Sequence, residues 1–204
     1  MLRKHIYLNG SSNPMISYDY GGLHARLAYH LKKLPCIGNP YIIDGFENGD
    51  ERSSAKDWIG YFKTIGLVSF NAANEHDAAY AILGKFKDKG ITRFNYKAVR
   101  SLIRKFKYHH DDIREYICKD FGIDAMYIDA RIIGDCLYEL TIKKGITILP
   151  EHDELLFLPI KEKIVNEQMI MSYRKILRIA LIESGRLDKN ELLSEDLVPV
   201  LTPG

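Results

Sequence analysis

Hydrophobic positions along the chain switch between two periods, and the switches divide it into elements. Residues 1–14 are polar and end in Asn9-Gly10-Ser11-Ser12-Asn13-Pro14, which reads as a loop. Met15-Ile16-Ser17-Tyr18-Asp19-Tyr20 reads as a strand with an acid at its end, and Gly21-Gly22 permits a tight turn there. From Leu23 the period becomes helical. Leu23, Leu27, His30 and Leu31 share a face, Lys32-Lys33 suit a helix C-terminus, and Pro35 stops the element. Residues 35–51 read as loop. A helix is expected to begin with Arg52, which together with Lys56 and Lys63 projects at spacings close to whole turns, so one face is cationic.

Further helices are expected over 74–89, capped by Gly90, and over 95–121 as two amphipathic pieces meeting near Tyr108. The clearest helical pattern runs from Asp129 to Lys144, with Ile132, Ile133, Cys136, Leu137 and Leu140 on its apolar side. Ile146, Ile148 and Leu149, then Leu155 to Leu158, predict two buried strands of a hairpin with His152-Asp153-Glu154 at the turn. A last helix is expected over about 161–183, and the charged tail after Gly185 is expected to dock weakly or not at all.

Composition narrows the class. With 204 residues, 46% of them hydrophobic, the chain can bury a substantial core as one domain or a domain with an inserted subdomain. Collagen-like, disordered and disulfide-dense classes are excluded. Cys36, Cys118 and Cys136 are odd in number and set among apolar residues, as expected of reduced core thiols. No stretch is apolar enough to cross a bilayer, so a cytoplasmic protein with no membrane contact is expected. A net charge of +2 neither demands nor excludes a polyanionic partner.

Charge placement adds candidate chemistry. Three consecutive ionisable side chains at the tip of an apolar hairpin are costly unless solvated, paired or bound to a cation. A solvated surface turn is the plain alternative. Two-metal phosphoryl transfer needs carboxylates from separate elements around two ions roughly 3.5–4 Å apart. Asp19 and Asp153 are strand-end acids of that kind, and between them in sequence lie Arg52 and Lys56, cations suited to a triphosphate. Asp19 fits a helix cap equally, and Arg52 and Lys56 fit a solvated helix face.

The order of these motifs over roughly residues 15–178 resembles the palm and fingers of family A DNA polymerases, the DNA polymerase I group, and the related single-subunit RNA polymerases. Asp19-Tyr20-Gly21-Gly22-Leu23-His24-Ala25-Arg26 matches the first palm motif, with Asp19 at the first metal-binding aspartate and Arg26 at the motif's arginine. Arg52 and Lys56 match the fingers pair that contacts the triphosphate. His152, Asp153 and Glu154 match the His-Asp-Glu motif at all three positions, with Asp153 as the second metal ligand and His152 and Glu154 near the primer terminus.

The chain departs from the pattern at His24, which stands where the family has its sugar-discriminating glutamate. Gly60 and Thr64 occupy the base-stacking positions of the fingers, with Tyr61 and Phe62 beside them. With only a short stretch before Asp19, no upstream thumb or exonuclease is expected.

The resemblance implies an α+β fold: a small antiparallel palm sheet flanked by helices, with an inserted helical fingers subdomain. Residues 1–34 would form the first palm part, 35–121 the fingers-like insertion, 122–185 the second palm part and 186–204 a tail. The implied activity is that of a minimal, DNA-directed nucleotidyltransferase adding nucleotides to a primer or nucleic-acid end. Asp19 and Asp153 would hold Mg²⁺ or Mn²⁺, His152 and Glu154 would support the primer end, and Arg52, Lys56, Tyr20, His24, Arg26 and Tyr61 would contact substrate. Its partners would be a primer-template and a nucleotide triphosphate, with a partner chain or a second copy in place of the thumb. The alternative is a catalytically silent polymerase-like module that binds nucleic acid or a protein in a plasmid, phage or defence complex.

Overall fold

The computed structural model describes residues 6–8 and 10–204. It is an α+β chain: β1 (Ile16–Tyr20), α1 (Leu23–His30), α2 (Ala55–Asn71), α3 (Glu75–Asp88), α4 (Tyr96–His109), α5 (Phe121–Leu137), β2 (Leu149–Glu151), β3 (Glu154–Phe157), α6 (Glu162–Glu183) and β4 (Leu201–Pro203). The strands form one antiparallel sheet in the order β2-β3-β1-β4. The described part of the loop expected over 1–14 carries no helix or strand; Met1 to His5 and Asn9 lie outside the described residues. Among the described residues, no helix is long and apolar enough to cross a membrane. The chain divides into two compact units, the first comprising the chain up to Leu23, Lys33–Pro35 and Met126–Gly204, the second His24–Lys32 and Cys36–Ala125.

The first unit contains the sheet. Strand alternation sends Tyr18 and Tyr20 to one face of β1. Tyr20 is buried, donates its hydroxyl to the Met169 carbonyl at 2.8 Å, and lies with its ring 5.8 Å from that of Tyr173 on α6. Burial pushes its phenol pKa far above the ordinary value. Tyr18 lies alongside Phe157 of β3 and donates to Glu162 at 2.6 Å.

Helix α5 starts at Phe121, earlier than the pattern from Asp129 predicts, and passes into a π-helical turn over Tyr138–Lys143. The tail corrects the expectation of weak docking. Arg174 on α6 donates to the carbonyls of Leu193, Ser194, Glu195 and Leu197, and Arg178 donates to those of Lys189 and Glu191. Leu187 and Leu197 are buried, and β4 completes the sheet beside β1.

The second unit is helical around an aromatic core. Phe62, Phe70, Phe86 and Phe106 are wholly buried, with the ring of Phe106 6.1 Å from Phe70 and 6.5 Å from Phe62. Gly66 makes this approach possible, since a Cβ there would stand 2.9 Å from Phe106 Cζ. His110 is buried, and its Nε2 donates to the Pro40 carbonyl at 2.8 Å, so its Nδ1 accepts from the Tyr29 hydroxyl at 2.9 Å. Burial lowers its pKa to about 4, which keeps it neutral in this role.

Candidate active site

The hairpin is tighter than its apolar runs suggest. Glu154 belongs to β3, and only His152 and Asp153 make the turn. Such a turn needs a residue at positive φ, and without Gly or Asn it takes His152, at φ 56°. Closing it there sets Glu151 opposite Glu154, Glu154 opposite Asp19, and Asp19 opposite Thr202. Directly opposed residues of antiparallel strands share a face, so three carboxylates stand in one row across three strands, ended by a threonine.

Asp153 joins this end of the sheet through its backbone, accepting a hydrogen bond from the Tyr20 amide at 3.3 Å. The two aspartates singled out in the sequence therefore lie at the same end of the sheet in one unit, Asp19 on β1 and Asp153 in the β2–β3 turn. Asp19 is half-buried and its Oδ1 accepts a hydrogen bond from Thr202 Oγ1. Asp153 is half-buried and His152 exposed. Glu154 is only 4% exposed, packed against Ser17 and Gly204 so closely that a Cβ at position 204 would collide with its Oε1 and with Ser17 Oγ.

A residue given no functional role by the sequence pattern lies near Asp153. Asp129 lies inside α5, and among the described residues its Oδ1 is buried without a hydrogen-bond partner. Burial pushes its carboxyl up to about 6, with the Asp153 charge adding to the rise and His152 opposing it. Its separation in sequence from the His-Asp-Glu motif gave no cue. Replacing Asp153 with asparagine is expected to bring the Asp129 pKa down from about 6 while leaving it above the usual 3.8, because burial is the larger cause. A carbon-detected NMR titration of both proteins reads the change.

The donors here are carboxylate oxygens, the hard ligands that Mg²⁺ and Mn²⁺ prefer. Among the described residues, no three His, Cys, Asp or Glu side chains converge in a metal-holding arrangement. Mg²⁺ rarely needs that, because it is commonly held by one or two carboxylates and completes its shell with waters and substrate phosphates.

The other sequence-assigned residues have different placements. Tyr20 contributes its amide to the site while its side chain is core, which corrects its assignment as a substrate contact. Arg26 is buried in the second unit, where it donates to the carbonyls of Cys36 and Gly38, both at 2.6 Å, and so fixes a loop. His24 is half-buried in the first turn of α1.

Arg52 is not on a helix. Ser54 is the N-cap of α2, with Asp57 completing a capping box, and Arg52 sits in the preceding turn with its amide donated to Asp50 Oδ1 at 2.8 Å. It therefore shares no helix face with Lys56, which is exposed in the first turn of α2. Tyr61 is half-buried among Trp58, Phe86 and Phe94, its hydroxyl 3.2 Å from Ser53 Oγ. The Arg93 guanidinium lies 5.8 Å from its ring. Among known proteins, no protein-family model and no curated protein sequence matches the chain.

Proposed function

We propose that the chain is a nucleotidyltransferase that extends a primer or nucleic-acid end by two-metal phosphoryl transfer. The observation that carries this reading is that Asp19 and Asp153 fall at the same end of the sheet, Asp19 opposite Glu154 and Asp153 near the raised carboxyl of Asp129. Opposed carboxylates repel unless solvation, hydrogen bonds or a cation offset their charge, and a bound metal ion would do so here.

Asp19 and Asp153 would hold the ions, which activate the attacking hydroxyl and stabilise the charge of the pentacoordinate phosphorus. The primer-end hydroxyl attacks the α-phosphorus, the bond to the diphosphate leaving group breaks, and pyrophosphate departs. The assignment of Arg52 and Lys56 to the triphosphate, and of His152 and Glu154 to the primer end, rests on the resemblance to family A polymerases, as does the helical insertion as fingers. A partner chain or second copy would help to grip the duplex.

Primer extension by the purified protein, with deoxynucleotides and ribonucleotides in Mg²⁺ or Mn²⁺, tests the proposal. Incorporation is expected and should be lost in Asp153→Asn; incorporation that survives Asp153→Asn would refute the mechanism. One contact favours the second reading, a silent module that binds nucleic acid or a protein. The Asp19 carboxylate already accepts the Thr202 hydroxyl, and a protein that incorporates nothing under any of these conditions fits that reading.

A further inference from the structure

We infer that His76, Tyr80 and Tyr96, with the cations of α4, form a stacking surface for single-stranded nucleic acid. The inference rests on the proposed function for the class of partner and adds the place where a strand would lie. His76 and Tyr80 are one helical turn apart on α3 and therefore share a face. Tyr96 opens α4 beside them. The Tyr80 and Tyr96 rings are 4.9 Å apart, His76 is 4.9 Å from Tyr80 and 6.0 Å from Tyr96. This cluster is not core: Tyr80 is 58% exposed and the His76 side chain 66%. Large aromatic groups gathered at the surface are costly to hydrate, and they offer π-faces to any unstacked base.

Charge selects the partner. Helix α4 carries Lys97, Arg100, Arg104, Lys105 and Lys107 and no acid. The Arg100 guanidinium lies 5.8 Å from the Tyr96 ring, so a cation adjoins the rings as phosphates adjoin bases along a strand. The acids facing this region are Glu75, shared among Arg100, Arg104 and Lys107, and Asp77, paired with His76. Positive charge remains in surplus. A peptide with acidic groups would use the cations but leave the three rings without a role.

Fluorescence anisotropy with a labelled oligo-dT, in chelator-containing buffer without nucleotide, tests the surface separately from catalysis. The wild-type protein is expected to bind, Tyr80→Ala and Tyr96→Ala to weaken binding about tenfold each, and Tyr80→Phe to bind like wild type. An abasic strand of equal length should bind the wild type about as weakly as oligo-dT binds the alanine variants. Thermal melts establish that the variants are folded. Unchanged binding by both folded alanine variants, equal binding of abasic and oligo-dT strands, or no binding by the wild type would overturn the inference, whatever primer extension shows.

Discussion

Phe106→Ala is expected to cost the second unit about 3–5 kcal/mol of stability, the range for truncating a buried aromatic. Phe106 is wholly buried and its ring meets Phe62, Phe70 and His110, the last at 4.5 Å. The neighbouring Gly66 has no side chain with which to fill the space, so the cavity would persist between α2 and α4. Trp58, the sole tryptophan, lies in the same unit and reports its unfolding by fluorescence. Urea denaturation should show a lower midpoint at unchanged slope. A loss below about 1 kcal/mol would mean that the core collapses around the gap.

Asp153→Asn is expected to lower nucleotide incorporation by about a thousandfold or more, because a metal ligand governs several kcal/mol of transition-state charge stabilisation. Asp19→Asn should act comparably. These changes keep side-chain size, remove the charge and replace one carboxylate oxygen by an amide NH₂, and the remaining carbonyl oxygen of Asp19→Asn can still accept from Thr202. His152→Ala should cost much less, because His152 is exposed at the tip of the turn. Rates measured under saturating metal and nucleotide distinguish a lost ligand from weakened substrate binding.

Much of the fold was legible because periodicity reports burial. Strand β1, helices α3, α4 and α6, and the apolar character of β3 follow from residues that do become core. The N-terminal turns of α5 were hidden by Ile123, Met126 and Tyr127, apolar residues that are exposed and break the amphipathic pattern. Helix α2 begins at Ala55 and not at Arg52, because the Ser54–Asp57 capping box fixes the boundary and the spacing of cations does not.

The docked tail could not be anticipated from its side chains. Arg174 and Arg178 hold it by backbone carbonyls, which every sequence offers equally. At the candidate site, Asp19 is legible as a strand-end acid, while Asp153, read the same way, lies in the hairpin turn. The hydrogen bond from the Tyr20 amide to the Asp153 carbonyl, the placement of Glu154 within β3 and the approach of Asp129 to Asp153 depend on register and helix packing, which only three dimensions reveal. The His76, Tyr80 and Tyr96 cluster was likewise invisible, since it joins two helices.

Mn²⁺ titration followed by paramagnetic broadening of amide signals decides whether the carboxylates around Asp19 and Asp153 bind divalent metal. Broadening centred on Asp19, Tyr20, Asp153 and Asp129 in the wild type, and lost from them in Asp153→Asn, is the expected result. Broadening spread evenly over the protein's acidic residues, or unchanged by Asp153→Asn, would contradict a metal-dependent transferase at this end of the sheet.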